Sequence, residues 1–133
     1  MNDLFQIRVY YADTDAGGVV YHASYLSFYD RARTEFLRNL GVEHNELSKM
    51  DRVFAVRKIN VEYLQPAVID EILYINTAVN AKAKSHITIA QSIYNENHDL
   101  INSCEVLLVF VDTTRKRPAG IPNNIYERIN MPT

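Results

Sequence analysis

The 133-residue chain contains a single cysteine, Cys104. One thiol cannot close an internal disulfide and cannot supply a four-cysteine zinc site, so the chain suits a reducing compartment. Glycine and proline are also scarce, with four of each: Gly17, Gly18, Gly41 and Gly120, and Pro66, Pro118, Pro122 and Pro132. So few breaks exclude a collagen-like or low-complexity chain and imply long regular elements between them. No apolar run approaches the ~20 residues that span a bilayer. The opening Met1-Asn2-Asp3-Leu4 lacks the basic and then apolar segments of a signal peptide, so the expected location is cytoplasmic. An excess of either charge is missing as well, since 14 Lys+Arg against 16 Asp+Glu leave a net charge of −2. Nucleic-acid surfaces carry a basic excess. The one compact basic run, Arg115-Lys116-Arg117, suffices for a phosphate or two but not for a nucleic acid.

Hydrophobic residues make up 47% of the chain and charged residues 23%, the balance of a soluble globular domain. This length predicts one domain, residues 1–133, burying roughly two-thirds of its unfolded surface. Residues 4–11 alternate, with Phe5, Ile7, Val9 and Tyr11 on one face, and predict a half-buried strand. A loop of aspartates and glycines follows at 12–18. From Ser24 to Leu40, Tyr25, Tyr29, Ala32, Phe36 and Leu40 recur at helical spacing, widened by Leu26 and Leu37, while Arg33 and its charged neighbours take the remainder. Ser24 or a residue just before it suits the N-cap, and Gly41 suits the left-handed residue that ends a helix. A short helix is expected over Glu43–Met50.

Residues 53–64, 70–82, 86–95 and 99–112 are rich in the residue types of strands. In the first of them Arg57 falls on an otherwise apolar face, which suggests pairing with an acid at a subunit contact. Asn95–Asp99 has the composition of a hairpin turn, and a short helix is expected around 124–129. Short connections favour antiparallel pairing, so the expected class is α+β: an antiparallel sheet curled around one long helix. Strands this long leave an edge to be covered, for instance by a second subunit.

Chemistry concentrates between the first strand and the helix, in Tyr11-Ala12-Asp13-Thr14-Asp15-Ala16-Gly17-Gly18-Val19-Val20-Tyr21-His22. Glycines beside an acid let the backbone turn tightly and approach a ligand. The helix start beyond offers unpaired N–H groups and partial positive charge. A carboxylate in such a place can act on a carbonyl or its attacking water, and N–H groups can stabilise the resulting oxyanion. The plainer reading is that Asp13 and Asp15 form Asx-turns and cap the helix. A metal site on Asp13, Asp15 and His22 has less support, because His44, His86 and His98 are scattered and no metal-ligand spacing exists.

The pattern Tyr11-x-Asp13-Thr14-Asp15-x-x-Gly18-x-Val20-Tyr21-His22-x-x-Tyr25, with Phe28-Tyr29-Asp30-Arg31-Ala32-Arg33, resembles the hot-dog acyl-CoA thioesterases. Within them it is most similar to the 4-hydroxybenzoyl-CoA thioesterase-like family and its Tol-Pal-associated branch. The likeness continues through Val56-Arg57-Lys58-Ile59-Asn60-Val61-Glu62-Tyr63-x-x-Pro66-Ala67 and the basic, proline-containing tail, so that it covers nearly the whole chain.

The resemblance implies a hot-dog fold and hydrolysis of acyl-CoA, or of acyl carrier protein thioesters, to free acid and thiol. Asp15 matches the family's catalytic carboxylate, acting as nucleophile or as general base. His22 stands where a backbone N–H polarises the thioester carbonyl, and its imidazole can also meet substrate or Asp15. Gly18 allows the close approach, and Tyr25, one turn on, is either a substrate contact or core. Lys82, Lys84 and Ser85, after the third strand, and Arg117 near the tail match residues that hold the nucleotide and pantetheine arm of CoA. The competing reading of these four is solvated surface polarity that guards a strand end. The resemblance also implies a homodimer with its pocket between subunits, and a homotetramer of two such dimers. It implies no separate cofactor, since coenzyme A is part of the substrate.

Two rivals remain: a non-catalytic hot-dog scaffold that binds acyl carrier protein, and a hot-dog dehydratase using His22. Cys104, among Val106, Leu107 and Leu108, reads as a buried small residue rather than a nucleophile. No Gly-x-Ser-x-Gly elbow exists for a serine hydrolase, and Gly17-Gly18 is too short for a dinucleotide fingerprint.

Overall fold

The computed structural model of the chain describes residues 4–131. Met1 to Asp3, which carry the signal-peptide expectation, and Pro132 lie outside the described residues. Strand β1 is Phe5–Arg8, helix α1 Ser24–Asn39, helix α2 His44–Lys49, strand β2 Arg52–Tyr63, β3 Ile72–Lys82, β4 His86–Tyr94, β5 Leu100–Asp112, β6 Arg117–Pro118 and helix α3 Asn123–Arg128. The sheet runs in the order β1-β3-β4-β5-β2, with β6 paired to β5. β1 is antiparallel to β3, Phe5 opposite Ile75 and Arg8 opposite Ile72.

The connections explain the pairing of the central strands. Ala83–Ser85 joins β3 to β4, and the Ala83 N–H donates to the His86 carbonyl (2.8 Å). Between β4 and β5, the Asn95 side chain accepts from the N–H groups of Asn97 (2.9 Å) and Asp99 (3.0 Å), while His98 takes a left-handed φ of 67°. That is the Asx chemistry expected of this turn. Helix α1 ends as its glycine foretold. Gly41 sits at φ 80°, its N–H donates to Arg38 (2.9 Å), and the Val42 N–H donates to Leu37 (2.9 Å), the paired bonds of a Schellman stop.

Backbone contacts gather the residues into two compact units. One takes in the chain up to Arg33, Val61–Thr77 and Gln91–Cys104; the other takes in Thr34–Asn60, Ala78–Ala90 and Glu105 onward. The first has Tyr25, Phe28, Tyr29, Leu73, Ile75 and Ile93 in its core. Among the described residues it also buries the polar side chains of Arg33, Gln91 and Asn102. The second is built on Leu47, Val79, Ile89, Val106, Phe110 and Ile129, with the rings of Phe54 and Phe110 5.0 Å apart.

Three local expectations need correction. β1 stops at Arg8, and Tyr11–Asp13 forms a single 3-10 turn. Tyr11 is therefore 79% exposed rather than on the buried face. In α1 the buried residues are Tyr25, Phe28, Tyr29, Ala32 and Arg33. This i, i+3, i+4, i+7, i+8 stripe leaves Leu26 outside and brings in an arginine. Strand β6 was not anticipated from the tail's prolines.

Candidate active site

Residues 13–21 form a narrow ribbon within the first unit. The Tyr21 N–H donates to the Asp13 carbonyl (2.9 Å), and the Asp15 N–H to Val19 (3.0 Å); Thr14 and Val20 form the bridge between them. The tip is closed by the Gly18 N–H on the Asp15 carbonyl (3.1 Å). The two glycines at this tip have different reasons. Gly18 holds φ 80°, and a Cβ on Gly17 would lie 3.2 Å from Asp15 Oδ1. The Gly17 N–H instead donates to that oxygen (2.8 Å). The Asx-turn foreseen as the plainer reading is therefore present at Asp15, and it fixes an exposed carboxylate rather than capping the helix. Asp13 has its own local task, its Oδ2 accepting from the Tyr10 N–H (2.9 Å).

The returning side of the ribbon is anchored too. The Val20 N–H donates to Ala67 (2.8 Å), and Val19 bridges to Val68. The chain then enters α1 through Tyr21, His22 and Ala23, with the Ser24 N–H on the Tyr21 carbonyl (2.8 Å). Among the described residues the His22 backbone N–H donates to no protein acceptor, which leaves it available at the positive end of the helix. Its imidazole is exposed and lies 4.4 Å from the Tyr21 ring.

His22 and Tyr25 line a cavity of about 260 Å³ together with Val20, Tyr63, Leu64, Gln65 and Pro66. Tyr25 is buried, its ring edge-on to Phe28 (5.8 Å) and to Tyr63 (5.6 Å). Burial pushes its phenol above the ordinary range, with a backbone hydrogen bond from Ala67 working the other way. Tyr25 is thus both a core residue and a wall of the cavity. Tyr63, Leu64, Gln65 and Pro66 were not singled out from sequence as site residues. The available signal was an aromatic residue closing a strand three positions before Pro66.

Asp15, Gly18, His22 and Tyr25 are thus gathered in the first unit, whereas Lys82, Lys84, Ser85 and Arg117 belong to the second. Lys82 is already engaged there. Its Nζ donates to the Tyr126 carbonyl (2.8 Å) and lies 4.2 Å from the centre of that residue's ring. Lys84 has an exposed side chain, and its carbonyl accepts from the Ile121 N–H (2.8 Å). The Ser85 carbonyl accepts from the Phe110 N–H (2.8 Å). Arg117 is exposed on β6.

Comparison with known proteins gives this geometry its context. The sequence model of the thioesterase-like superfamily matches residues 9–129. The chain belongs to that superfamily. It is 45% identical over 119 residues to the acyl-CoA thioester hydrolase YbgC of Escherichia coli O6:H1, covering 90% of this chain and 89% of that protein. It is 36% identical over 122 residues to the acyl-CoA thioesterase YbgC of Haemophilus influenzae, covering 91% and 89%. The crystal structure of a probable thioesterase from Bartonella henselae matches with a TM-score of 0.83 at 34% identity, over 89% of this chain and 97% of that one. A DHNA-CoA thioesterase from Staphylococcus aureus matches with a TM-score of 0.90 over 94% and 86%, at 23% identity, a likeness of fold. This member of the superfamily therefore has the hot-dog fold, an antiparallel sheet with one long helix, and is a thioester hydrolase. Among the described residues, no helix is long and apolar enough to cross a membrane.

Proposed function

We propose that the chain hydrolyses acyl-CoA thioesters, with Asp15 as the reacting carboxylate and the His22 N–H as the group that polarises the carbonyl. The observation that carries this reading is the ribbon itself. One short hairpin presents a carboxylate fixed through Oδ1 and runs directly into His22, whose N–H is unpaired among the described residues and which is one of the residues that line the cavity. Water attacks the carbonyl carbon while Asp15 accepts one of its protons, and the negative charge on the carbonyl oxygen meets the His22 N–H. The carbon–sulfur bond then breaks, and the leaving thiolate recovers the proton. The products are RCOOH and CoA-SH, so atoms and charge balance without a metal or a redox partner. The nucleophilic route, attack by Asp15 itself, leads to the same products through a mixed anhydride.

The acyl group fits the cavity walled by Val20, Tyr25, Tyr63 and Leu64. Lys84, Ser85 and Arg117 are our candidates for the phosphates of CoA, in a cytoplasmic enzyme that also accepts acyl carrier protein as thiol carrier. A homodimer, paired into a homotetramer, accords with β2 standing at the end of the sheet order and leaving Val56, Tyr63 and Leu64 about half exposed.

The test is thiol release from a panel of acyl-CoA and acyl carrier protein thioesters, run on the wild type and on Asp15→Asn. Turnover of at least one thioester by the wild type, with loss of roughly 100-fold or more in kcat for Asp15→Asn and binding retained, is the expected result. Wild-type turnover by Asp15→Asn sinks the assignment. Silence across the panel with carrier-protein binding intact makes the domain a scaffold, and loss of water from 3-hydroxyacyl thioesters makes it a dehydratase.

A further inference from the structure

We infer that Tyr63 is a positioning residue for this hydrolysis: its hydroxyl holds the His22 carbonyl and so limits the rotation of the adjoining peptide, whose N–H serves the thioester carbonyl. The inference rests on the reading of Asp15 and His22 given above and adds a residue from a distant strand to it. The Tyr63 hydroxyl donates to the His22 carbonyl at 2.8 Å, across 41 positions of sequence. Among the described residues no backbone N–H serves that carbonyl. At the start of α1 the Leu26 N–H turns to the Ala23 carbonyl (3.1 Å), so the helix does not supply His22 with a bond of its own. His22 and Tyr63 are both exposed, so water can serve the carbonyl in place of Tyr63, and the bond from Tyr63 bears on the direction of the peptide rather than on stability.

The consequence is mechanical. The peptide that carries the His22 N–H is fixed through its Tyr21 carbonyl, which accepts from the Ser24 N–H (2.8 Å), and the Tyr21 N–H on the Asp13 carbonyl (2.9 Å) ties the residue before it to the ribbon that carries Asp15. On its C-terminal side His22 is fixed by Tyr63. Between these two anchors the φ and ψ of His22, and with them the direction of its free N–H, have little room. An oxyanion donor contributes through being aimed in advance at the place where charge develops, and a small misalignment is expensive in rate. Ring packing keeps the anchor itself steady, because the Tyr63 ring meets the Tyr25 ring at 77° and 5.6 Å.

Tyr63 is 51% exposed, so Tyr63→Phe keeps the ring, its contact with Tyr25 and the cavity wall while it deletes the hydroxyl alone. The experiment measures kcat and KM for an acyl-CoA, the thermal melting curve, and the infrared carbonyl stretch of a bound acyl-CoA ketone in which a methylene replaces the thioester sulfur. Expected are a roughly tenfold fall in kcat, a KM within about twofold, an unchanged melting curve, and a carbonyl stretch at lower frequency on the wild type than on the variant. A wild-type kcat, a loss confined to KM, or identical carbonyl frequencies would each overturn the role. Asp15→Asn run alongside separates the two levels. If Asp15→Asn is inactive while Tyr63→Phe is normal, only the assignment of Tyr63 falls. If Asp15→Asn is fully active, the site reading fails and Tyr63 falls with it.

Discussion

Arg33, midway along α1, donates from Nη1 to Oε1 of Gln91 on β4 at 3.0 Å, with both side chains buried. Gln91 is fully used: its Nε2 donates to the Tyr29 carbonyl (3.1 Å) and to Thr77 Oγ1 (3.0 Å). Arg33 also reaches Asp30 at 3.3 Å, while burial lowers its guanidinium below the ordinary value against the pull of that carboxylate. A buried cation with one partner removed is far costlier than an apolar pair of the same volume. Gln91→Leu should therefore lose about 3 kcal/mol in urea unfolding. Arg33→Met combined with Gln91→Leu should recover most of that loss. Additive losses in the double variant would show that the two side chains do not act as a pair.

That pair also marks where sequence reasoning stopped. Local rules placed α1 and its glycine stop within a residue, found the Asn95 turn, and concentrated attention on the Asp15 ribbon. These features depend on neighbours a few positions away. The burial of Arg33 depends on a glutamine 58 residues along the chain, so its charge alone argued for solvent and drew the apolar stripe toward Leu26 instead of Phe28. Tyr63 and Leu64–Pro66 escaped notice as cavity walls for the same reason, since their partner is the start of a helix some 40 residues earlier. Tyr11 shows the opposite limit. Its alternation with Val9 was genuine, but the chain leaves the strand at Arg8 and turns the ring outward.

Cys104 is buried, and burial pushes its thiol up from 9.0 to about 11, although the nearby Arg33 cation opposes the shift. At pH 8 the folded protein should resist a thiol reagent that modifies the urea-unfolded chain within minutes. The raised value also sets the sign of a stability effect. Between pH 9 and 11 the unfolded chain has released this proton while the folded one keeps it, so stability falls as pH rises through that window. Cys104→Ala should flatten that part of the alkaline unfolding profile. Native labelling at the unfolded rate would contradict the burial.

Lys82 and Lys84 stand two residues apart with different work to do. Lys82 spans to α3, with its ammonium on the Tyr126 carbonyl and over the Tyr126 ring, whereas the Lys84 side chain is exposed. Lys82→Met should lower stability by about 1–2 kcal/mol and leave KM for acyl-CoA nearly unchanged. Lys84→Met should leave the unfolding curve in place and raise KM several-fold at low salt, with the difference fading by about 0.5 M salt as screening removes a phosphate contact. The reverse pattern would make Lys82 the phosphate ligand and remove its role in holding α3.

The chemistry of Asp15 can be read from a single turnover in H₂¹⁸O with enzyme in excess over acyl-CoA. As a general base Asp15 only accepts a proton, so the first molecule of acid released carries the ¹⁸O. As a nucleophile it gives one of its own oxygens to the first product when water attacks the mixed anhydride at the carboxylate carbon, and the label stays on the enzyme. We propose the base. Asp15 is exposed, so water reaches it without displacing a buried group, and Oδ1 is tied to the Gly17 N–H at the ribbon tip. This leaves Oδ2 as the oxygen free to take a proton. We expect label in the first-turnover acid and an unlabelled peptide containing Asp15. Label on that peptide would assign the anhydride route instead.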